Sequence, residues 1–238
     1  MITPFRSSLL PALALALLTP LFVRGAELGD RLANLSPRAQ VGTGANVMIA
    51  GFVVGEGAPK RVLVRAVGPA LAAFSVTGTL TDPVLELYDG KGALLTTNDN
   101  WTAADAAAMA GVGAFPLTAG SRDAALVATL APGAYTAQVS GAVGTTGVAL
   151  LEVYDVTGPA RLINLSTRAT VGTGSNTLIA GLVIAPGAGS RRLLVRAAGP
   201  ALAAFALTGA NSDPALEILD GGGRPIAFGL NERDKDRN

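Results

Sequence analysis

Residues 124–156 read AALVATLAPGAYTAQVSGAVGTTGVALLEVYDV. Three runs rich in Val, Leu, Ala and Tyr, Ala124–Leu130, Ala134–Ser140 and Val148–Val156, are separated by Pro-, Gly- and Thr-rich breaks. Pro132 presets φ and Gly133 follows it, so Leu130-Ala131-Pro132-Gly133-Ala134 reads as a tight turn. Tyr135-Thr136-Ala137-Gln138-Val139 alternates in part between outward and inward character, the period of a half-buried strand.

The same pattern extends upstream. Met48–Val54, Arg61–Val67 and Val84–Tyr88 are short β-branched and aliphatic runs bounded by Gly, Pro, Asp or Asn. Tyr88-Asp89-Gly90-Lys91-Gly92-Ala93 is a hairpin turn, with Asp-Gly supplying the positive φ such turns need. Only Thr102–Ala110, TAADAAAMA, reads as a helix, with Asp105 near its start. Short strands with turn signals between them predict an all-β fold, an antiparallel, jelly-roll-like β-sandwich.

The chain also repeats itself. RLANLSPRAQVGTGANVMIAGFVV (31–54) returns as RLINLSTRATVGTGSNTLIAGLVI (161–184), with 16 of 24 positions identical at an offset of 130. VLVRAVGPALAAFSVTGTLTDPVLELYDG (62–90) returns at 193–221 with 19 of 29 identical, now at an offset of 131. The one-residue change falls in the Gly- and Ala-rich loops 55–60 and 185–190, where surface chain absorbs insertions. The expected organisation is a complete module over 31–156, a linker at 157–160, a truncated second copy over 161–223, and a divergent charged tail over 224–238. The second copy has no sequence counterpart of 124–156, so its strands around Thr177–Ile184, Leu193–Ala197 and Ala215–Leu219 are expected to self-associate, to pair with the first copy or to be proteolysed.

Residues 1–25 differ from the rest. Arg6 precedes the apolar run Leu9–Leu18, and small residues Gly25 and Ala26 precede the first acid, Glu27. That order is the pattern of a secretory signal peptide, with cleavage expected after Gly25. A membrane anchor needs roughly 20 uninterrupted apolar residues, and Pro11 and Pro20 break this stretch. Secretion to the periplasm, cell surface or medium is the expectation, without a stable membrane anchor. Loss of Arg6 and Arg24 leaves 16 of the 18 basic residues against 17 acidic ones. A balance so even, with both signs scattered, gives no face for nucleic acid. The chain has no Cys and no His, which excludes Ser-His-Asp and Cys-His catalysis, thiolate and imidazole metal sites, and disulfides.

The signatures NLSxRAxVGTGxN, LVRAxGPALAAF, DPxLELYDGxG, NDNW and LAPGAYTAQVSG resemble a tandem β-sandwich repeat module of secreted bacterial proteins. DPVLELYDGKGALLTTNDNW and LAPGAYTAQVSG are also loosely similar to the bacterial pre-peptidase C-terminal domain, a sandwich appended to secreted hydrolases. Both resemblances imply a non-catalytic accessory or surface module.

Asp89, Asn98, Asp99 and Asn100 form the densest set of oxygen donors, and Ca2+ is the ion such a loop would hold if they converge. The competing reading is that these side chains close turns at strand ends. Trp101, the single Trp, is the candidate for stacking on a sugar ring, against the alternative of a core or turn plug. Arg65 and Arg196 lie inside apolar LVRA runs and require carboxylates. Asp82 with Glu86, and Asp213 with Glu217, recur beside them and are the expected structural ion pairs. Gly42-Thr43-Gly44 and Gly172-Thr173-Gly174 lack the Gly-Lys-Ser/Thr of a phosphate loop and read as turns. Glu86 and Asp89 recur as Glu217 and Asp220, which argues for architecture rather than a single glycosidase site. The functional expectation is a secreted, non-enzymatic repeat protein without a cofactor, with a structural, adhesive or targeting role. Its partner would be a cell-surface polymer or another exported protein. The alternative is a carbohydrate-binding accessory module with a Ca2+-supported loop at Asn98–Trp101.

Overall fold

A computed structural model describes residues 32–158, 160–185 and 190–229. The expected signal segment 1–25 and the final charged residues 230–238 lie outside the described residues.

The first repeat supplies eight strands: β1 (Leu32–Val41), β2 (Met48–Val54), β3 (Lys60–Val67), β4 (Pro83–Asp89), β5 (Leu94–Asn98), β6 (Ala124–Leu130), β7 (Gly133–Gly141) and β8 (Gly147–Thr157). They form two antiparallel sheets, one ordered β1-β8-β3-β6 and the other β5-β4-β7-β2. That order is the jelly roll, so the fold is the all-β sandwich expected. Alternate residues meet between the sheets: Val62, Val64 and Ala66 of β3 and Leu151 and Val153 of β8 pack with Phe52, Leu85, Leu87 and Val139 of the facing sheet.

The first sheet is also covered on its far face. Leu63 and Val67 of β3 and Tyr154 of β8 lie under Leu71, Met109, Ala114 and Leu117. These cap residues come from a 3-10 turn (Pro69–Phe74), the short helix α1 (Ala106–Gly111) and the loop after it. Burial on both faces explains why β3 reads as a nearly continuous apolar run instead of an alternating one. β1 escapes a propensity reading because Pro37 interrupts it and Asn34, Ser36, Arg38 and Gln40 dilute its apolar character. It is nonetheless an inner strand.

Among the described residues the second repeat does not build a separate sandwich. Its strand β10 (Ile179–Ile184) lies beside β1 and extends the first sheet, and β9 (Leu162–Arg168) lies beside β2 and extends the second. The pairing is reciprocal. Arg38 faces Ile179 while Ile49 faces Arg168; Leu35 faces Leu182 while Phe52 faces Leu165. Each residue thus meets the repeat counterpart of its own counterpart's neighbour, and even the irregularities fall at matching places, Leu32/Asn34 and Val53/Val54. Ala160 and Leu162 are buried in the first repeat's core, with Leu165 and Leu178 packed against it.

Beyond these strands the second repeat keeps local structure only. Pro200–Phe205 repeats the 3-10 turn, and β11 (Leu216–Leu219) pairs with β12 (Pro225–Gly229). Leu216 faces Gly229 as Leu85 faces Asn98, so the hairpin repeats through Gly229, six residues past the last sequence match at Gly223. The residues expected to form a divergent tail thus begin as a strand. The strand expected over Leu193–Ala197 is not formed. Its counterpart β3 is held between β8 and β6, and no such neighbours flank 193–197 among the described residues.

Leu162 tests whether the second repeat completes the first. Leu162 is 2% exposed in the core, and the adjacent Ile163 is 61% exposed. Leu162→Ala should lower stability by about 2–5 kcal/mol, the usual range for a buried Leu. Ile163→Ala should stay within about 0.5 kcal/mol. Urea unfolding midpoints read both.

Candidate functional site

The most concentrated polar chemistry lies between the first sheet and its cap. Arg65, in mid-β3, is fully buried. Its Nε donates to Glu152 Oε2 at 2.7 Å, and Nη2 lies 2.5 Å from the same oxygen without the alignment of a hydrogen bond. Nη1 donates to the Phe115 carbonyl at 2.7 Å, and the guanidinium carbon sits 4.4 Å over the Phe115 ring. Tyr154 donates its hydroxyl to Glu152 Oε1 at 2.7 Å. Burial first, then the negative charge of Glu152, pushes the Tyr154 phenol well above its ordinary value. The Tyr154 phenol therefore remains a donor at every physiological pH. The cluster ties β3, β8 and the cap loop together.

The carboxylate that meets Arg65 is Glu152, not Asp82 or Glu86. Arg65 and Glu152 are cross-strand partners on β3 and β8. Asp82 instead takes the exposed Arg122 at 2.5 Å. Glu86 is on β4 in the other sheet, and because Leu85 and Leu87 point into the core, Glu86 points away from it. In the second repeat Arg196, Asp213 and Glu217 are all exposed, so the buried arrangement is not reproduced there. Recurrence could not reveal Glu152, which lies 87 residues from Arg65 and outside the aligned stretches.

Two further buried groups escaped sequence reading. Lys60 is fully buried, forms an ion pair with Asp155 and donates to the Gly158 carbonyl at 3.0 Å. Asp123 accepts from the Gly68 and Ala70 backbone N–H groups at 2.8 and 3.2 Å, and from the Ser121 hydroxyl at 2.7 Å. It anchors the start of the GPALAAF turn. Gly68 is required there, since a Cβ would collide with the Leu80 carbonyl. A Lys opening an apolar strand was the one available signal for the Lys60 pair.

Trp101 belongs to the same polar network. Its indole N–H reaches the Ser121 hydroxyl at 3.1 Å and the Thr118 carbonyl at 3.2 Å, and its ring packs against the cap cluster. Asn98 accepts from the Ala125 N–H at 3.0 Å and donates to the Asn100 carbonyl at 2.9 Å, pinning the end of β5 to β6. Asp99 and Asn100 are exposed. Asp89 closes the β4–β5 turn, accepting from the Lys91 and Ala93 N–H groups, both at 2.9 Å. Those backbone donors hold the Asp89 carboxyl below its ordinary value, and the same bonds from Arg224 and Gly222 lower Asp220. Asn98 faces Leu85, four residues along β4 from Asp89. At about 3.3 Å per residue the separation is roughly 13 Å, too far for one coordination sphere. Among the described residues no group of three or more Asp and Glu is placed to hold a metal ion.

A half-open cavity of about 310 Å³ lies beside the cap between the 3-10 turn and the loop after α1, lined by Pro69, Ala70, Ala73, Phe74, Phe115, Pro116 and Thr118. Phe74 and Phe115 meet edge-on with centroids 4.9 Å apart. No titratable side chain lines it. No protein-family model, curated protein or solved structure matches the chain.

Two measurements follow from this geometry. Arg65→Ala strands a buried Glu152 and should cost about 3–5 kcal/mol, while the double change Arg65→Met with Glu152→Leu should cost less than either single change, because no charge is left unpaired. Denaturant midpoints of the single and double variants check the order. Excess Ca2+ and excess chelator should give the same melting temperature. A filled site at a hundred times its Kd would add about 2.7 kcal/mol.

Proposed function

We propose that this is an exported, non-enzymatic β-sandwich repeat protein with a structural, adhesive or targeting role at the cell surface or outside the cell. One observation carries the reading. The buried charged groups of the first repeat, Arg65, Glu152, Lys60, Asp155 and Asp123, each engage another part of the fold, and none lines the open cavity. Charge arranged this way fixes a shape, whereas catalysis needs polar groups converging on a space a substrate can enter. The charge, apolar run and small residues of 1–25 support export, and the resemblance to modules of secreted bacterial proteins points the same way. Trp101 has its N–H engaged and its ring packed, which weighs against the carbohydrate-binding alternative.

The test is expression of the full chain in a bacterium, followed by fractionation and mass spectrometry of its N-terminus. The mature chain should begin at Ala26 in the periplasm or medium, show no turnover on glycosidase and protease panels, and bind a glycan array no better than Trp101→Ala does. An uncleaved cytoplasmic chain, or turnover, would overturn the reading.

A further inference from the structure

β9 and β10 each use one edge. Their inner edges pair with β2 and β1, and among the described residues no strand lies on the outer edges. In the first repeat the corresponding edges are filled: β2, the counterpart of β10, pairs with β7, and β1, the counterpart of β9, pairs with β8. The empty edge of β10 is also unguarded. β10 reads IAGLVI, with no charge and no Pro to discourage another strand. Its side chains show the same deficit, since Leu182 is 42% exposed where its counterpart Phe52 is 2% exposed.

We propose that the outer edges of β9 and β10 are a docking site for a two-strand segment with the chemistry of 133–157, presented by another chain that carries this repeat. Three features select that occupant. β10 keeps Ile, Ala, Gly and Val at the positions of Ile49, Ala50, Gly51 and Val53, so it offers nearly the same edge to the same kind of strand. β7 and β8 are consecutive in the chain but lie in opposite sheets, and β10 and β9 also end opposite sheets, so one connected segment reaches both. The reciprocal junction of the repeats has already placed β9 and β10 as β1 and β2 are placed. Strand addition of this kind draws affinity from backbone hydrogen bonds and specificity from alternate side chains. Register follows residue for residue: Ala50 faces Ala137 and Phe52 faces Tyr135 in the first repeat, so Ala180 faces Ala137 and Leu182 faces Tyr135 of the incoming segment. Likewise Leu35 faces Val153, which assigns Val153 to Leu165.

The inference rests on the structural reading of the protein, and its failure would leave the export and turnover tests untouched. The probe is a synthetic peptide of residues 133–157 added to the full chain. Saturable one-to-one binding is expected, with amide exchange of 162–168 and 179–184 slowed by at least about tenfold. The chain has no Cys, so Ala180→Cys gives a clean reporter. It should form a mixed disulfide with a peptide carrying Ala137→Cys in preference to one carrying Cys at 135 or 139. Leu182→Lys should abolish binding while leaving exchange in 32–157 unchanged. Three results would overturn the proposal: no binding while exchange shows β9 and β10 still paired with β2 and β1, cross-linking without register preference, or self-association of the chain that the peptide does not displace.

Discussion

The middle of the first sheet, at β3 and β8, is buried on both faces, and most of the structure answers to that constraint. β3 and β8 lie between the facing sheet and the cap, so a polar group in their central stretch is shielded from water. A charge in that position must find its partner inside the protein. Arg65 therefore needs Glu152 across the ladder, Glu152 needs Tyr154, and the guanidinium needs the Phe115 carbonyl. Through that carbonyl the pair fixes the loop after α1, and with it the cap that keeps the site dry. Asp123 does the same work at the other end of the cap, through the backbone N–H groups of the GPALAAF turn and the hydroxyl of Ser121.

Much of the sandwich was legible from local chemistry. The runs between 124 and 156 are rich in β-branched and aliphatic residues and end in Pro-Gly or Gly-Thr breaks, so their ends nearly coincide with β6, β7 and β8. β1 was hidden because a Pro and alternating polar residues weaken its pattern. Its pairing with β8 and β10 outweighs that weakness, and a ladder of that kind is invisible until the fold has brought the strands together. The same limit applied to the ion pair. Arg65 announced a need for a carboxylate, but the repeat drew attention to acids nearby in sequence, whereas cross-strand position selected one far along the chain. Asp89 and Asn98 were grouped because they are close in sequence, and a strand of five residues holds them apart. Asp89 proved to be a turn residue, and Asn98 the clasp between β5 and β6.

The second repeat shows how far a sequence match can outrun its structural meaning, and the reverse. Residues 193–197 closely match β3 yet form no strand, because a strand needs neighbours as well as a suitable sequence. Residues 225–229 do not match β5, yet they reproduce its pairing with the preceding strand, because the Asp220 turn and the hairpin spacing set it.

The connection between the repeats looks like a linker in sequence but cannot act as a hinge. Lys60 holds the Gly158 carbonyl, and the Gly55 N–H holds the Arg161 carbonyl at 2.8 Å. Beyond it, β9 and β10 are bonded along their lengths to strands of the other repeat. A single cut in the backbone there would leave the two pieces joined, and a pull along the chain would load two ladders of hydrogen bonds before it reached the connecting residues. Neighbouring repeats joined in this manner have one fixed orientation, and a string of them would transmit force as a stiff rod does.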